Sequence, residues 1–255
     1  AARLAVNDAV LLGRAFGAEV LIVHVHPALP HTPLSARALE EHTRQLVDAT
    51  ITSVTEAGGR VAGHHVLSGS PAETILHAAD RAGASWIVLG AGDRSARSLL
   101  TGTTAETVAR FATQRVWISR PRPTRGLVHV GCGVDYSASS SEALRVAADL
   151  AARSGASLHV AHAASATDTR EHLLGYLREQ GTRIEAANVS TAQGAPDEVL
   201  RGFVSERGVD LLVLGRTGTS GLRRVFLGGT AERLLRSVPC SLLLTSPATA
   251  RESSR

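Results

Sequence analysis

The 255-residue sequence contains no lysine and no methionine, only two cysteines, and 3% aromatic residues. Each absence excludes something. Without lysine there is no Walker-type phosphate lysine, no kinase strand lysine and no Schiff-base lysine. Cys132 and Cys240 form no C-x-x-C pair, so a thiolate metal site and a structural disulfide lack support. Two core thiols agree with a cytoplasmic protein. No run approaches the roughly 18 apolar residues of a membrane span, and no signal segment opens the chain. A formal net charge of +4, carried by arginine, is too small to announce a nucleic-acid partner. Neither G-x-S-x-G nor H-E-x-x-H occurs, and no acid pair is placed for glycosidase work.

What is present is a globular composition, 44% hydrophobic and 20% charged, organised by an internal repeat. Val-Leu-Gly at 88–90 recurs at 213–215, Thr-Ala-Glu at 104–106 recurs at 230–232, and GAEVLIVH at 17–24 resembles GASLHVAH at 155–162. SPAETIL at 70–76 has its counterpart in APDEVL at 195–200. The matches keep one order, which argues for two homologous units joined by the proline-bearing stretch 119–126. We place the units at 1–121 and 126–247, with a tail at 248–255.

In the second unit, strands are predicted at 127–135, 157–163, 183–190, 209–215 and 240–246. Between them come helices starting at Ser137 or Ser139, at 168–180, from Pro196 to the Gly208 stop, and at 230–238. Alternation of this kind means an α/β fold with a mostly parallel sheet. The first unit reads alike, with a helix at 1–16 and strands at 19–26, 60–67, 85–90 and 115–119. It has no counterpart of residues 127–138, the opening strand and its turn. That omission predicts unpaired strand edges, an opened core, and a distorted first unit. It also leads us to expect that the 255 residues derive from a longer protein cut at its N-terminal end.

Each fourth strand is followed by a glycine-rich loop and a helix opening, a form that cradles phosphate with backbone N–H groups. In the second unit the glycines stand at Gly215, Gly218 and Gly228, the last followed by Gly229 and Thr230. This spacing, a strand ending in Val134-Asp135 with Ser137 after it, His-Ala and His-Val strand ends, and a final P-C-S-L-L-L together resemble the universal stress proteins. The similarity covers essentially the whole chain as a tandem pair.

The resemblance implies two doubly wound, Rossmann-like five-stranded sheets of order 3-2-1-4-5, the first lacking its opening central strand. It also implies an adenine nucleotide, ATP with or without Mg²⁺, at the carboxyl ends of the strands. By motif, Asp135 would meet the ribose and adenine end with Val134 beside it. Ala163 would line the adenine slot, and Gly215, Gly218 and Gly228 would form the phosphate loop. Gly229 stands where the family has a hydroxyl residue, and Thr230 comes one step late. Arg216, Arg223 and Arg224 are available as compensating cations. The first unit keeps Gly90, Gly92, Gly102 and a hydroxyl at Thr103, with Val25 for an adenine slot, but no Asp135 equivalent. Its site is expected to be impaired.

The resemblance further implies a stress-response sensor or regulator rather than a dedicated catalyst. Its partners would be the nucleotide and an internal pseudo-dimer in which VWIS and SLLLT pair antiparallel, leaving room for a homodimer. A nucleotide-independent scaffold with degenerate loops is the alternative. A pyrophosphatase-type S-G-G-x-D-S loop is absent, which removes the hydrolase relatives of the fold. His24, His129, His159 and His162 read as packed or sheet-end residues, and Trp86 and Trp117 as core or interface residues.

Overall fold

The structure is a computed structural model, and it describes residues 2–26, 33–91, 104–122, 126–165, 168–217 and 227–246. The proposed tail lies outside the described residues.

Helix α1 (Ala2–Phe16) opens the first unit, followed by β1 (Val20–His26), α2 (Pro33–Glu56), β2 (Val61–Ser68) and α3 (Pro71–Arg81). It closes with β3 (Trp86–Gly90), α4 (Thr104–Phe111) and β4 (Arg115–Ser119). The second unit runs β5 (His129–Gly133), α5 (Ala138–Ser154), β6 (Ser157–Ala164), α6 (Arg170–Glu179) and β7 (Val189–Gln193). It ends with α7 (Pro196–Arg207), β8 (Leu211–Gly215), α8 (Gly229–Ser237) and β9 (Ser241–Thr245). Local chemistry sets these boundaries. Ser137 caps α5 by accepting the Ser140 N–H, Pro196 opens α7, and Gly155 and Gly208 end helices in the left-handed conformation.

In the second unit the strands lie in the order β7-β6-β5-β8-β9, all parallel. This is the predicted 3-2-1-4-5 arrangement. The expected pair of five-stranded sheets is corrected. Strand β4 pairs antiparallel with β9, so the first unit's β3 and β4 extend the second unit's sheet to seven strands, while β1 and β2 form a separate parallel pair. The division falls where no described residue of the first unit is equivalent to β5.

The junction is a pseudo-twofold. Trp117 lies opposite Leu243, its own repeat equivalent, flanked by Val116 opposite Leu244 and Ile118 opposite Leu242. The same symmetry appears in two ion pairs, Arg110 with Glu232 at 3.0 Å and Arg236 with Glu106 at 3.2 Å. Trp117 is fully buried, and its Nε1–H donates to Asp8 at 3.0 Å. The stretch 119–126 is more than a linker. Arg120 is buried and donates to the Leu235 carbonyl, and Arg122 pairs with buried Asp8 at 2.6 Å.

Two hydrophobic clusters cover the two faces of the sheet. One gathers α3, α4, α7 and α8 around Ile118, Leu212 and Leu242; the other gathers α1, α5 and α6 around Trp117, Leu211 and Leu243. Alternate residues of a strand serve opposite faces, as the period of two requires.

The third strand of the second unit is a correction. It occupies 189–193 rather than 183–190, and Ala186–Asn188 form a 3₁₀ turn before it. Continuous β propensity was the wrong guide there. The repeat itself carried the right answer, since Gln193-Gly194 corresponds to Ser68-Gly69 at the end of β2.

Candidate nucleotide site at the carboxyl ends of β5 and β8

Strand β5 pairs with β6 on one side and β8 on the other, so the chain order reverses between β5 and β8. In an open parallel sheet the crevice at such a reversal is where ligands bind. Asp135 stands exposed just beyond β5, and its Oδ1 accepts the Ser137 N–H at 3.1 Å and the Ser137 hydroxyl at 2.5 Å. Val134 is buried at the strand end, its N–H donating to the Ala161 carbonyl at 2.9 Å. Ala163 is half-buried near the end of β6.

On the β8 side, Gly215 ends the strand and Gly228 caps α8, and the Gly228 N–H donates to the Arg216 carbonyl at 2.8 Å. Gly228 supplies no side-chain cap, so Gly229 and Thr230 open α8 with backbone N–H groups that have no intrahelical partner. Those amides and the helix dipole suit an anion. Gly218, Arg223 and Arg224 lie outside the described residues, as do Gly92, Gly102 and Thr103 of the first unit.

Gly215 has a packing duty beside any ligand role. A Cβ there would lie 2.7 Å from Ser139 Oγ and 2.9 Å from Ser139 Cβ. Glycine therefore lets the start of α5 close onto the end of β8. Arg216 is corrected: it is buried, its guanidinium donates to the Ala112 and Gln114 carbonyls at the end of α4, and burial lowers its pKa to about 10. It joins the units and is unavailable to phosphate.

In the first unit Val25 belongs to the two-stranded sheet and Gly90 to the seven-stranded one. No shared strand joins them. In the second unit Val134, Asp135, Gly215 and Gly228 stand at the carboxyl ends of the neighbouring strands β5 and β8.

Sequence reasoning passed over Tyr136. It sits between Asp135 and Ser137 with φ 62°, a left-handed conformation that a bulky residue avoids. Its ring is held among His162, His172 and Tyr176, with centroid separations of 4.5, 5.1 and 5.0 Å. Burial, then the nearby Asp168 carboxylate, raises the Tyr136 pKa. His162 is buried and bonds the Val134 carbonyl through Nδ1 at 2.7 Å, with Nε2 3.4 Å from Asp168. Hydrogen bonds from Ser165, at 2.7 Å from its hydroxyl and 2.9 Å from its N–H, hold the Asp168 carboxyl well below the usual range. This cluster fixes the turn that presents Asp135. A signal was available, because the chain has only two tyrosines and both meet here.

His159 is buried beside His129, with ring nitrogens 3.1 Å apart, which agrees with a packed role. No cluster of three or more histidines, cysteines or acidic residues suited to a metal occurs among the described residues. No helix among them is long and apolar enough to cross a membrane.

Comparison with known proteins matches this geometry to a family. The profile of the Universal stress protein family covers residues 1–120 and again 128–246. A universal stress protein from Methanocaldococcus jannaschii is 36% identical over 52 residues, 20% of this chain and 31% of that protein. One from Synechocystis is 32% identical over 78 residues, 31% of this chain and 51% of that protein. The chain thus spans about half or less of the length of these curated relatives. Among solved structures, a universal stress protein from Archaeoglobus fulgidus superposes with TM-score 0.76 and 17% identity, covering 96% of this chain and 92% of its own. A functionally unknown protein from Pseudomonas aeruginosa superposes with TM-score 0.71 and 18% identity over 94% and 86% of the two chains. Two matched units in one chain, on the fold its relatives share, make this protein a member of the universal stress protein family.

Proposed function

We propose that the protein is an adenine-nucleotide-binding regulator of the stress response, taking one ATP, with or without Mg²⁺, in the β5–β8 crevice. The observation that carries the reading is the pairing of two features across one topological switch: the exposed Asp135 and the start of α8 at Gly228-Gly229-Thr230, which has no side-chain cap. Asp135 accepts ribose hydroxyls there, and Val134 and Ala163 flank the base. The amides of Gly229 and Thr230, with the loop glycine Gly218, receive the phosphates. The residues fit such a ligand without lysine. No described side chain at the crevice is placed as a general base, so we read ATP as a signal rather than a turned-over substrate. The units at 1–121 and 126–247 act as an internal pseudo-dimer.

A second reading, a nucleotide-independent scaffold, draws on two facts: Gly229 stands where the family has a hydroxyl residue, and Arg216 is committed to the unit interface. Calorimetric titration with ATP separates the two. Saturable binding near one site per chain is expected, weakened about 10- to 100-fold by Asp135→Ala through loss of hydrogen bonds to a charged group. Gly218→Leu should abolish it. Thermal melts of both variants check that they fold. No saturable binding at millimolar ATP leaves the scaffold reading standing.

A further inference from the structure

The two units meet through more than β4 and β9, and one further contact reaches the candidate site. Arg216 follows Gly215 at the end of β8, and its backbone is bonded in both directions. Its N–H donates to the Thr245 carbonyl at 2.7 Å, and its carbonyl accepts the Gly228 N–H at 2.8 Å. The second bond ties the end of β8 to the residue that precedes α8. The side chain runs the other way, into the first unit, where its terminal nitrogens donate to the Ala112 and Gln114 carbonyls. Ala112 stands directly after α4. Carbonyls at a helix C-terminus lack intrahelical donors and carry the negative end of the dipole, so a guanidinium suits them. Arg216 is 3% exposed, which leaves it no water to exchange those carbonyls for.

The repeat shows that this contact is an addition. Ala91 is the equivalent of Arg216, and its N–H donates to the Ser119 carbonyl at 3.0 Å, as the Arg216 N–H does to Thr245. The backbone arrangement is common to both units, but an alanine sends no donor across to the end of α8. The first unit holds α8 by another route: buried Arg120 donates to the Leu235 carbonyl in the last turn of that helix. Both ends of α8 are thus tied to the first unit, its start through Gly228 and Arg216 and its end through Leu235 and Arg120.

Building on the nucleotide reading above, we propose that Arg216 is a positioning residue through which the first unit sets the phosphate end of the β5–β8 crevice. Nucleotide affinity in the second unit then depends on the end of α4 in the first. Arg216 touches no ligand in this role. It fixes the carbonyl that holds Gly228, and Gly228 fixes where the amides of Gly229 and Thr230 point. The effect has a direction, because Asp135 stands beyond β5 and lies outside this chain of bonds. Phosphates feel the coupling, and the ribose and base do not. A coupling free energy is also reciprocal, so a nucleotide at α8 steadies the end of α4 in return.

The test titrates the full chain with ATP and, separately, with adenosine, followed by NMR so that weak affinities are also read. Arg216→Met keeps an unbranched side chain and removes both donors. It is expected to weaken ATP about 10-fold and to leave adenosine within about twofold. In the unaltered chain ATP should slow amide exchange at Ala112, whose N–H donates to the Val108 carbonyl at the end of α4. That protection should vanish in Arg216→Met. Asp80→Ala approaches the same path from the first unit and serves if Arg216→Met gives no cooperative melt. Exposed Asp80 accepts the Gln114 side-chain amide at 2.7 Å and so steadies the turn that Arg216 grips. Its loss should weaken ATP about threefold, again sparing adenosine. Equal losses for ATP and adenosine, unchanged ATP affinity in a folded variant, or Ala112 protection that survives in Arg216→Met overturns the proposal alone. No ATP binding by the unaltered chain overturns the nucleotide reading and the proposal with it.

Discussion

The two units carry the same tripeptide, Val-Leu-Gly, on equivalent strands, in different surroundings. In β8 Val213 and Leu214 are 0% and 5% exposed, whereas Val88 and Leu89 in β3 are half-buried. The difference comes from one absent neighbour. Leu214 packs directly against Gly133 of the central strand, and among the described residues Leu89 has no such strand beside it. Identical residues in identical register thus differ in burial because the central strand of a doubly wound sheet supports both its flanks. Outer strands depend on it more than it depends on any one of them.

The comparison can be broken most directly at those leucines. Leu214→Ala should cost about 3 kcal/mol in urea unfolding, and Leu89→Ala about 1 kcal/mol, since truncation costs scale with burial and with the cavity left behind. Equal losses would mean that the first unit is as well packed as the second.

A smaller effect distinguishes the units by pH. Burial, then His129 and Arg207, depresses the His159 pKa below its ordinary value, and the equivalent residue in the first unit is Leu21. A histidine kept neutral in the fold is protonated first in the unfolded chain. Stability on this account is full above the unfolded pKa of about 6.5 and falls as pH drops below it toward the folded pKa. Melting scans from pH 7.5 to 5.5 should show this loss, and His159→Leu should flatten it.

The smallest expected effect tests the symmetry itself. Arg110→Ala and Arg236→Ala remove equivalent ion pairs whose arginine side chains are 40% and 59% exposed, so each should cost under about 1 kcal/mol. Arg236 also pairs with Glu232 at 3.1 Å, so its loss should exceed that of Arg110 by only a few tenths of a kcal/mol. A large asymmetry would show that the pseudo-twofold is only a backbone relation.

Much of the architecture was legible because repeats and periodicities are local quantities. The strand–helix alternation follows from segments whose pattern is complete in themselves, whereas the strand order of the second unit and the antiparallel meeting of VWIS with SLLLT were implied by the resemblance to the universal stress proteins. The gap in the first unit was legible too, as a stretch with no partner in the repeat. Less was legible at the site. Asp135 and the glycines after β8 stand out by spacing, but Gly215 also serves the close approach of Ser139. Tyr136 gave no sign in the sequence of its place among His162, His172 and Tyr176.

By itself, the sequence determined two homologous units, their alternation of strand and helix, and that residues 1–121 hold no counterpart of 127–138. It also determined that phosphate, if bound, must be held without lysine. Only the tertiary structure decided that the first unit's sheet divides, giving two strands to the second unit and leaving two apart. It alone sent Arg216 to the carbonyls of Ala112 and Gln114 instead of toward a ligand. The physical reason is the same for both. Where a strand edge or a guanidinium finds its partner depends on groups about a hundred residues away, brought close by packing that no local pattern encodes.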